Sequence, residues 1–200
     1  MSVESLSIKC PGCGQPVSTG QNICEWCKGP IVITTFNSVA SMPLPEINKY
    51  ANSYKKALAD YPDDKLLNTS IAMCYLRLKL YDKALDAFEK AIEDNFDNPE
   101  TYFYAAISIL KGKKAFLQQR QEINKIEEYI DAALMIEPRG IFYYFKAYIR
   151  YDYYKRKCYN VLPDYNELQE QAFNAGLSDI DIQQLFELLN VERPQELRLN

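Results

Sequence analysis

Four cysteines near the beginning of the chain, arranged as two Cys-x-x-Cys pairs, constrain its folding more than any other feature. Cys10 and Cys13 form the first pair, Cys24 and Cys27 form the second, and ten residues separate the pairs. A gap of two residues lets both sulfurs of a pair reach one ion from a tight turn, and two such turns supply the four thiolates of a closed structural zinc site. We therefore predict one structural zinc ion per chain, and we expect its binding to supply most of the folding free energy of the surrounding residues.

Two disulfides or a single dithiol redox motif are the alternative uses of such cysteines. The first residues show no basic stretch followed by an apolar one, so we expect no signal peptide, and no apolar run approaches the ~18–20 residues of a membrane helix. The chain is accordingly expected in the cytoplasm, where doubled Cys-x-x-Cys pairs indicate metal more often than disulfides. A catalytic zinc is not expected, because four thiolates leave no position for water and the sequence contains no histidine.

The cysteine segment resembles the short zinc ribbons found at the N-termini of many bacterial proteins. The resemblance covers residues 6–35 and implies two knuckles with a small β-hairpin arrangement, whose last strand would be the β-branched run at 31–35. Gly12, Gly14 and Gly29 lie in or just after the two turns, where we expect the positive φ angles that glycine adopts freely.

The rest of the sequence predicts a linker followed by helices. Residues 36–45 contain two prolines and no charged residue, which is typical of a linker. From there nearly to the end the pattern is helical. We therefore divide the chain into a zinc ribbon at 1–35, this linker, and a helical domain at 46–200. Cys74 and Cys158 lie within helical patterns, and we expect both to be buried, inert thiols.

The helical region repeats itself. Residues 54–62 align with 88–96 at an offset of 34, and 130–138 follow at an offset of 42, which is the same period with eight residues inserted. A period of 34 residues with helix–turn–helix content is the signature of one class of helical repeat array.

Residues 65–98 carry the family resemblance best. They contain Asn68-x-x-Ile71-Ala72-x-x-Tyr75 followed by Ala84-x-x-x-Phe88-x-x-Ala91, and small residues such as Ala72 and Ala84 let two antiparallel helices approach closely. The segment resembles a tetratricopeptide repeat, although Asn68 stands where the family has tryptophan. The resemblance implies a mostly α fold, a short α-solenoid of helix–turn–helix repeats with a small N-terminal β zinc ribbon.

The resemblance also implies a concave surface, lined by the first helix of each repeat, on which the family binds extended peptides or helices of partner proteins. An apolar row with two cations at its rim would suit a partner segment with apolar anchors and an acidic group or C-terminal carboxylate. The last predicted helix, about 178–190, opens at Ser178 with Asp181 three residues on, which is close to a capping box with Asp in place of the usual Glu or Gln. The alternative is that this helix covers the row and makes it core. The positions are Thr69, Met73, Arg77, Phe103, Ile107, Lys111, Phe145, Ile149 and Tyr153.

The distribution of charged residues along the chain is uneven, and it suggests an alternative function. Residues 139–158 carry six basic residues and one acidic residue, with eight Tyr or Phe interleaved, a pattern able to stack bases and contact phosphates. Tyrosines that recur every three or four residues are also typical of the buried side of a helix, and the acidic residues of 159–200 could neutralise the basic ones. The formal charge of the whole chain is −4, which does not favour a nucleic-acid binder.

Enzyme chemistry is not expected from this sequence. It lacks histidine and any phosphate-cradling glycine-rich loop, and Cys158, although it follows three basic residues, has no visible catalytic partner. We predict a non-catalytic protein–protein interaction adaptor or assembly factor that binds a protein or peptide partner. The alternative is a nucleic-acid or ribosome-associated protein that uses the zinc ribbon and the basic aromatic helix. The sequence specifies neither the partner nor the oligomeric state.

Overall fold

The computed structural model describes residues 5–93 and 97–197, and nearly all regular structure within these ranges is helical. The mostly α fold class, with a small β element at the start, is therefore confirmed. No helix within these ranges is long and apolar enough to cross a bilayer. The elements are β1 (Ser7–Lys9), β2 (Pro16–Ser18), α1 (Asn37–Ala40), α2 (Leu44–Asp60), α3 (Lys65–Arg77), α4 (Tyr81–Glu93), α5 (Pro99–Leu110), α6 (Arg120–Ile136), α7 (Gly140–Ile149), α8 (Tyr165–Asn174) and α9 (Asp179–Leu189), with a π-helical turn at Arg150–Tyr154 and short 3-10 turns at Ala115–Leu117, Lys155–Lys157 and Gln195–Leu197.

The sheet of the cysteine segment is a single antiparallel pair. Strands β1 and β2 place Ile8 opposite Val17, and both side chains are buried. An isolated bridge joins Ile23 to Pro30. The expected last strand at 31–35 is wrong, because those residues lie outside every strand of the described chain.

The β-branched run packs on helices instead. Ile31 and Ile33 are fully buried. The hydroxyl of Tyr54 on α2 donates to the Ile31 carbonyl at 3.0 Å, and the Ile33 N–H donates to Ser70 Oγ on α3 at 2.8 Å. Because helical side chains satisfy these backbone groups, the run can bury its apolar side chains without joining a sheet.

The predicted linker is partly helical. Residues 37–40 form α1, whose Val39 is fully buried and which contacts α3. Helix α2 then begins at Leu44, after Pro43, with a proline in its first turn. Proline is well tolerated there, because the first-turn N–H groups have no partner within the helix.

Contacts divide the chain into two compact units, Met1–Phe96 and Asp97–Asn200. This division differs from the expected boundaries at residues 35 and 46, since the cysteine segment belongs to the same unit as α2, α3 and α4. Its residues Ile31 and Ile33 are buried and hydrogen-bonded to α2 and α3, and the expected boundaries stay a prediction.

The first unit contains the repeat that the sequence matched best. Asp64 begins α3, where its carboxylate accepts the N–H of Leu67 at 2.8 Å as an N-cap. Helices α3 and α4 pack against each other, and Ala72, Ala84 and Phe88 are all fully buried. The burial of these residues agrees with the close packing of small residues that the sequence predicts for this helix pair.

The second unit is built from two further helix pairs, α5 with α6 and α7 with α8, while α9 packs on α5 and α7. Capping boxes begin α8 at Asp164 and α9 at Ser178. The second was expected from the sequence, with Asp181 in place of the usual Glu or Gln. Every residue of α5 from Thr101 to Leu110 is buried.

Candidate metal centre

The sulfurs of the four cysteines converge on one point of the first unit. All four Sγ atoms lie within 4.8 Å of one another. Cys10 Sγ lies 3.6 Å from Cys27 Sγ, and Cys13 Sγ lies 3.7 Å from Cys24 Sγ. Zinc–sulfur bonds of about 2.3 Å hold tetrahedral thiolates about 3.8 Å apart, whereas a disulfide needs about 2.05 Å. The four sulfurs therefore fit a four-thiolate metal site. Each of the two short distances joins a cysteine of the first pair to a cysteine of the second pair.

The two cysteine turns have the same backbone. In each, the N–H of the first cysteine donates to the carbonyl five residues on, and the N–H four residues on donates back to that cysteine's carbonyl. Positive φ occurs four residues after the first cysteine of both turns, at Gly14 (83°) and at Lys28 (60°). The hydrogen bonds are Cys10 N to Gln15 O (2.8 Å), Gly14 N to Cys10 O (2.9 Å), Cys24 N to Gly29 O (2.9 Å) and Lys28 N to Cys24 O (2.9 Å).

The first cysteine of each pair receives N–H groups from its own turn. Burial raises the pKa of Cys10 to about 12, while the N–H groups of Cys13 and Gly12 point at its sulfur and act in the opposite direction. The N–H groups of Cys27 and Trp26 lower the pKa of Cys24 to about 7. Such hydrogen bonds favour the thiolate, which is the form that binds a metal.

Gly12 and Gly29 are required for a close approach and not for positive φ, so the expectation of positive φ is right at Gly14 alone. A Cβ on Gly12 would lie 3.0 Å from Cys27 Sγ and 3.1 Å from Tyr50 Oη. A Cβ on Gly29 would lie 2.5 Å from Tyr50 Oη and 3.5 Å from Cys27 Sγ. The two glycines thus make room for the Tyr50 hydroxyl beside the sulfur cluster.

Helix α2 supplies the side chains that meet this cluster. Tyr50 is almost fully buried, and burial together with the charges of Cys27 and Cys10 raises its pKa above the usual value, so the hydroxyl keeps its proton. Lys49 Nζ donates to the Gly12 carbonyl. Neither residue was identified from the sequence, where Tyr50 looks like any aromatic residue on the apolar side of a helix.

The residues predicted to line a partner groove are mostly buried. In the first unit Thr69 and Met73 are buried and Arg77 is half-buried; in the second unit Lys111 is exposed. The remaining five are buried, which agrees with the alternative that they belong to the core, and partner binding at these positions stays a prediction. These five are Phe103, Ile107, Phe145, Ile149 and Tyr153.

Aromatic packing accounts for the burial in the second unit. The ring of Phe103 lies 5.1 Å from that of Phe142 and 5.7 Å from that of Phe145. Phe186 of α9 meets the rings of Tyr144 and Tyr148 edge to face, at 6.3 and 5.6 Å. The last helix therefore packs against the aromatic rings of α7.

The cations of residues 139–158 are largely engaged by carboxylates within the second unit. Arg150 NH1 lies 2.9 Å from Glu127 Oε1, and both side chains are mostly buried. Three further pairs are Arg139 with Glu100, Lys146 with Asp131, and Arg156 with Asp152. The carboxylates of these four pairs come from α5, α6 and the π-helical turn, while Glu196 of the acidic segment 159–200 also interacts electrostatically with Arg156. A segment in which most cations are paired and most tyrosines are buried does not favour phosphate binding.

The two remaining cysteines differ from each other. Cys74 is fully buried, and burial raises the pKa of its thiol to about 12, as expected for an inert core residue. Cys158 is exposed and follows the last helical turn with a φ of 60°. The expectation that Cys158 is buried is therefore wrong, because the helical pattern ends one residue before it.

Comparison with known proteins adds little to this description. No protein-family model matches the chain, and no curated protein matches it. A solved structure titled "MamA MSR-1 C2" is similar over 64% of this chain and 67% of that chain, with 17% sequence identity and a TM-score of 0.49. The mostly helical fold is accordingly established by the helices of the chain itself.

Proposed function

We propose that this protein is a non-catalytic protein–protein interaction adaptor or assembly factor whose first unit is held together by one structural zinc ion. The observation that carries the zinc assignment is the convergence of four sulfurs from two equivalent turns. Thiolate-rich tetrahedral sites suit zinc, and a closed set of four leaves no position for a reacting water. The ion would supply folding free energy to a segment that has few apolar residues of its own.

Three helix pairs support the interaction role: α3 with α4, α5 with α6, and α7 with α8. Small buried residues lie in each pair. Arrays of such pairs present helix surfaces to partner segments. The proposed partner is a protein segment with an acidic group, which either Arg77 of the first unit, half-buried, or Lys111 of the second unit, exposed, would contact. We propose that it acts in the cytoplasm, where the four thiols would stay reduced.

Metal analysis of the purified protein tests the zinc assignment. We expect one zinc per chain and its loss in Cys24→Ser, because three thiolates bind zinc far more weakly than four. Cys158→Ser is the matched control, since this exposed cysteine lies in the other unit, and it should keep the full zinc content. Purified protein without zinc, and with bridged cysteines, would refute the assignment.

Charge reversal tests the interaction role. A partner recovered with zinc-loaded protein is purified and titrated against Arg77→Glu and Lys111→Glu, and we expect about tenfold or greater weakening if an acidic group is bound. Lys55→Glu and Lys90→Glu are charge-reversal controls at exposed positions of the first unit. Unchanged affinity in both test variants would show that these residues are not the contact.

A titration with RNA and DNA distinguishes the proposed interaction role from the alternative, a nucleic-acid-binding role. We expect no saturable binding, because four of the six basic residues of 139–158 are paired with carboxylates. Binding that weakens steeply between about 50 and 200 mM salt would instead indicate phosphate contacts and favour a nucleic-acid role.

A further inference from the structure

The Tyr50 hydroxyl occupies a place that two glycines leave open beside Cys27. One glycine belongs to each cysteine turn, and a Cβ at either position would touch both the hydroxyl oxygen and the Cys27 sulfur. Tyr50 is 1% exposed, so the hydroxyl is shielded from water and must find its partner within the protein. The hydroxyl therefore lies between the two cysteine turns, next to a sulfur that would bind the metal.

The distribution of donors explains why Cys27 needs such a group. Cys10 and Cys24 each receive two N–H groups from their own turns. Cys27 is the second cysteine of its pair, and the Tyr50 hydroxyl is a donor that the fold places beside its sulfur. Four thiolates and one divalent ion carry a net charge of about −2, and burying that charge is costly unless hydrogen-bond donors surround the sulfurs.

We propose that Tyr50 is a positioning residue of the metal centre, whose hydroxyl donates a hydrogen bond to the metal-bound thiolate of Cys27 and so links the centre to helix α2. This inference rests on the proposed metal site and adds a residue from outside the cysteine segment to it. Groups that hydrogen-bond to metal ligands fix their orientation and tune the metal, and their loss typically weakens metal binding 10–100-fold. The link would make metal loading stabilise the packing of α2 as well as the two turns.

Tyr50→Phe tests the proposal, with Tyr54→Phe as the matched control. Both tyrosines are buried on α2, one turn apart, and both substitutions keep the ring and remove one hydroxyl. The Tyr54 hydroxyl donates to the Ile31 carbonyl at 3.0 Å and not to a sulfur. Each variant is loaded with Co²⁺ to saturation, its sulfur-to-cobalt charge-transfer band is recorded, and its zinc affinity is measured by competition with a chelator.

We expect Tyr50→Phe to shift the charge-transfer band and to weaken zinc binding by about 10–100-fold. Tyr54→Phe should leave the band unchanged, and any loss of zinc affinity should match its loss of folding stability. The band of the saturated protein reports the sulfurs themselves, so it separates a hydrogen bond to thiolate from a general loss of packing.

An unchanged band in Tyr50→Phe, with an affinity loss no larger than that of Tyr54→Phe, would overturn the proposal. If the wild-type protein binds neither ion, the metal site itself is wrong, and the proposed function fails instead. The two failures are therefore distinguishable in one experiment.

Discussion

At the scale of single residues, glycines mark the places where backbone and side chains come too close for a Cβ atom. Gly140, at the start of α7, faces the backbone that follows α8: an added Cβ would lie 2.6 Å from Leu177 N and 2.7 Å from Ala172 O. Both are main-chain atoms, so a side chain cannot simply swing away. The approach of α7 to α8 depends on this one missing methyl group.

Gly140→Ala should therefore force α7 and α8 apart and lower the free energy of unfolding by about 1–3 kcal/mol, the range for overpacked sites. Gly20→Ala is the control, because the three atoms nearest its added Cβ belong to the side chains of Ser5 and Ser18, the closest at 3.1 Å, and not to the main chain. Chemical denaturation of both variants measures the difference. Equal stability of Gly140→Ala and wild type would show that the helices are not in this contact.

At the scale of the helix, α9 shows how packing decides which apolar residues matter. Ile182, Leu185, Phe186 and Leu189 are buried, while Ile180 is 68% exposed. The helix is amphipathic, and its buried side meets the tyrosines of α7. Its first-turn acid Asp181 accepts the Ser178 N–H in the capping box and is not directed to the basic residues of 139–158.

Phe186→Ala should cost about 3–5 kcal/mol of stability, because it removes a buried aromatic ring from the core of the second unit. Phe173→Ala on α8 is the matched control, since its ring is 66% exposed and its removal should change stability by less than about 0.5 kcal/mol. Denaturant titration followed by far-UV circular dichroism gives both values. A small effect at Phe186 would mean that α9 is a removable cover and not part of the core.

At the scale of the whole molecule, buried tyrosines make stability depend on alkaline pH. Burial raises the pKa of Tyr144 and Tyr154 to about 12, above the value of about 10 in an unfolded chain. A raised pKa in the folded state means that the folded protein holds its protons more tightly. The resulting stability is complete below pH ~10 and is lost as the pH rises towards 12.

Spectrophotometric titration should accordingly show tyrosines that ionise only together with unfolding of the second unit, between about pH 10 and 12. If all tyrosines ionise near pH 10 while circular dichroism stays constant, the rings are not buried as described.

Metal removal is the second test at this scale. The sulfur cluster, Tyr50 and the buried run at 31–33 all lie in the first unit. Chelation should therefore abolish hydrogen-exchange protection at residues 7–33 and weaken it in α2, because α2 loses the surface that covers Tyr50 and Tyr54. Exchange in α6 to α9 should not change. Protection of α2 that is unaffected by chelation would indicate that the cysteine segment folds separately.

Local sequence spacing was enough to predict several features. The Cys-x-x-Cys pairs, the cap formed by Ser178 and Asp181, and the small residues Ala72 and Ala84 depend on neighbours a few residues away, so their pattern is visible in the chain. The helical period of 34 belongs to the same class, since each repeat is one local helix pair. These features did not require knowledge of which segments meet in space.

Only the tertiary structure decided the rest, because it depends on partners distant in sequence. The run at 31–33 is β-branched, yet side chains of α2 and α3 satisfy its backbone and take it out of a sheet. The sequence of 139–158 predicts a basic surface, and only the fold brings Glu100, Glu127 and Asp131 into ion pairs with three of its cations. Tyr50 is one apolar helix position among many, and only the folding of two glycine-containing turns around its hydroxyl brings it to the metal centre.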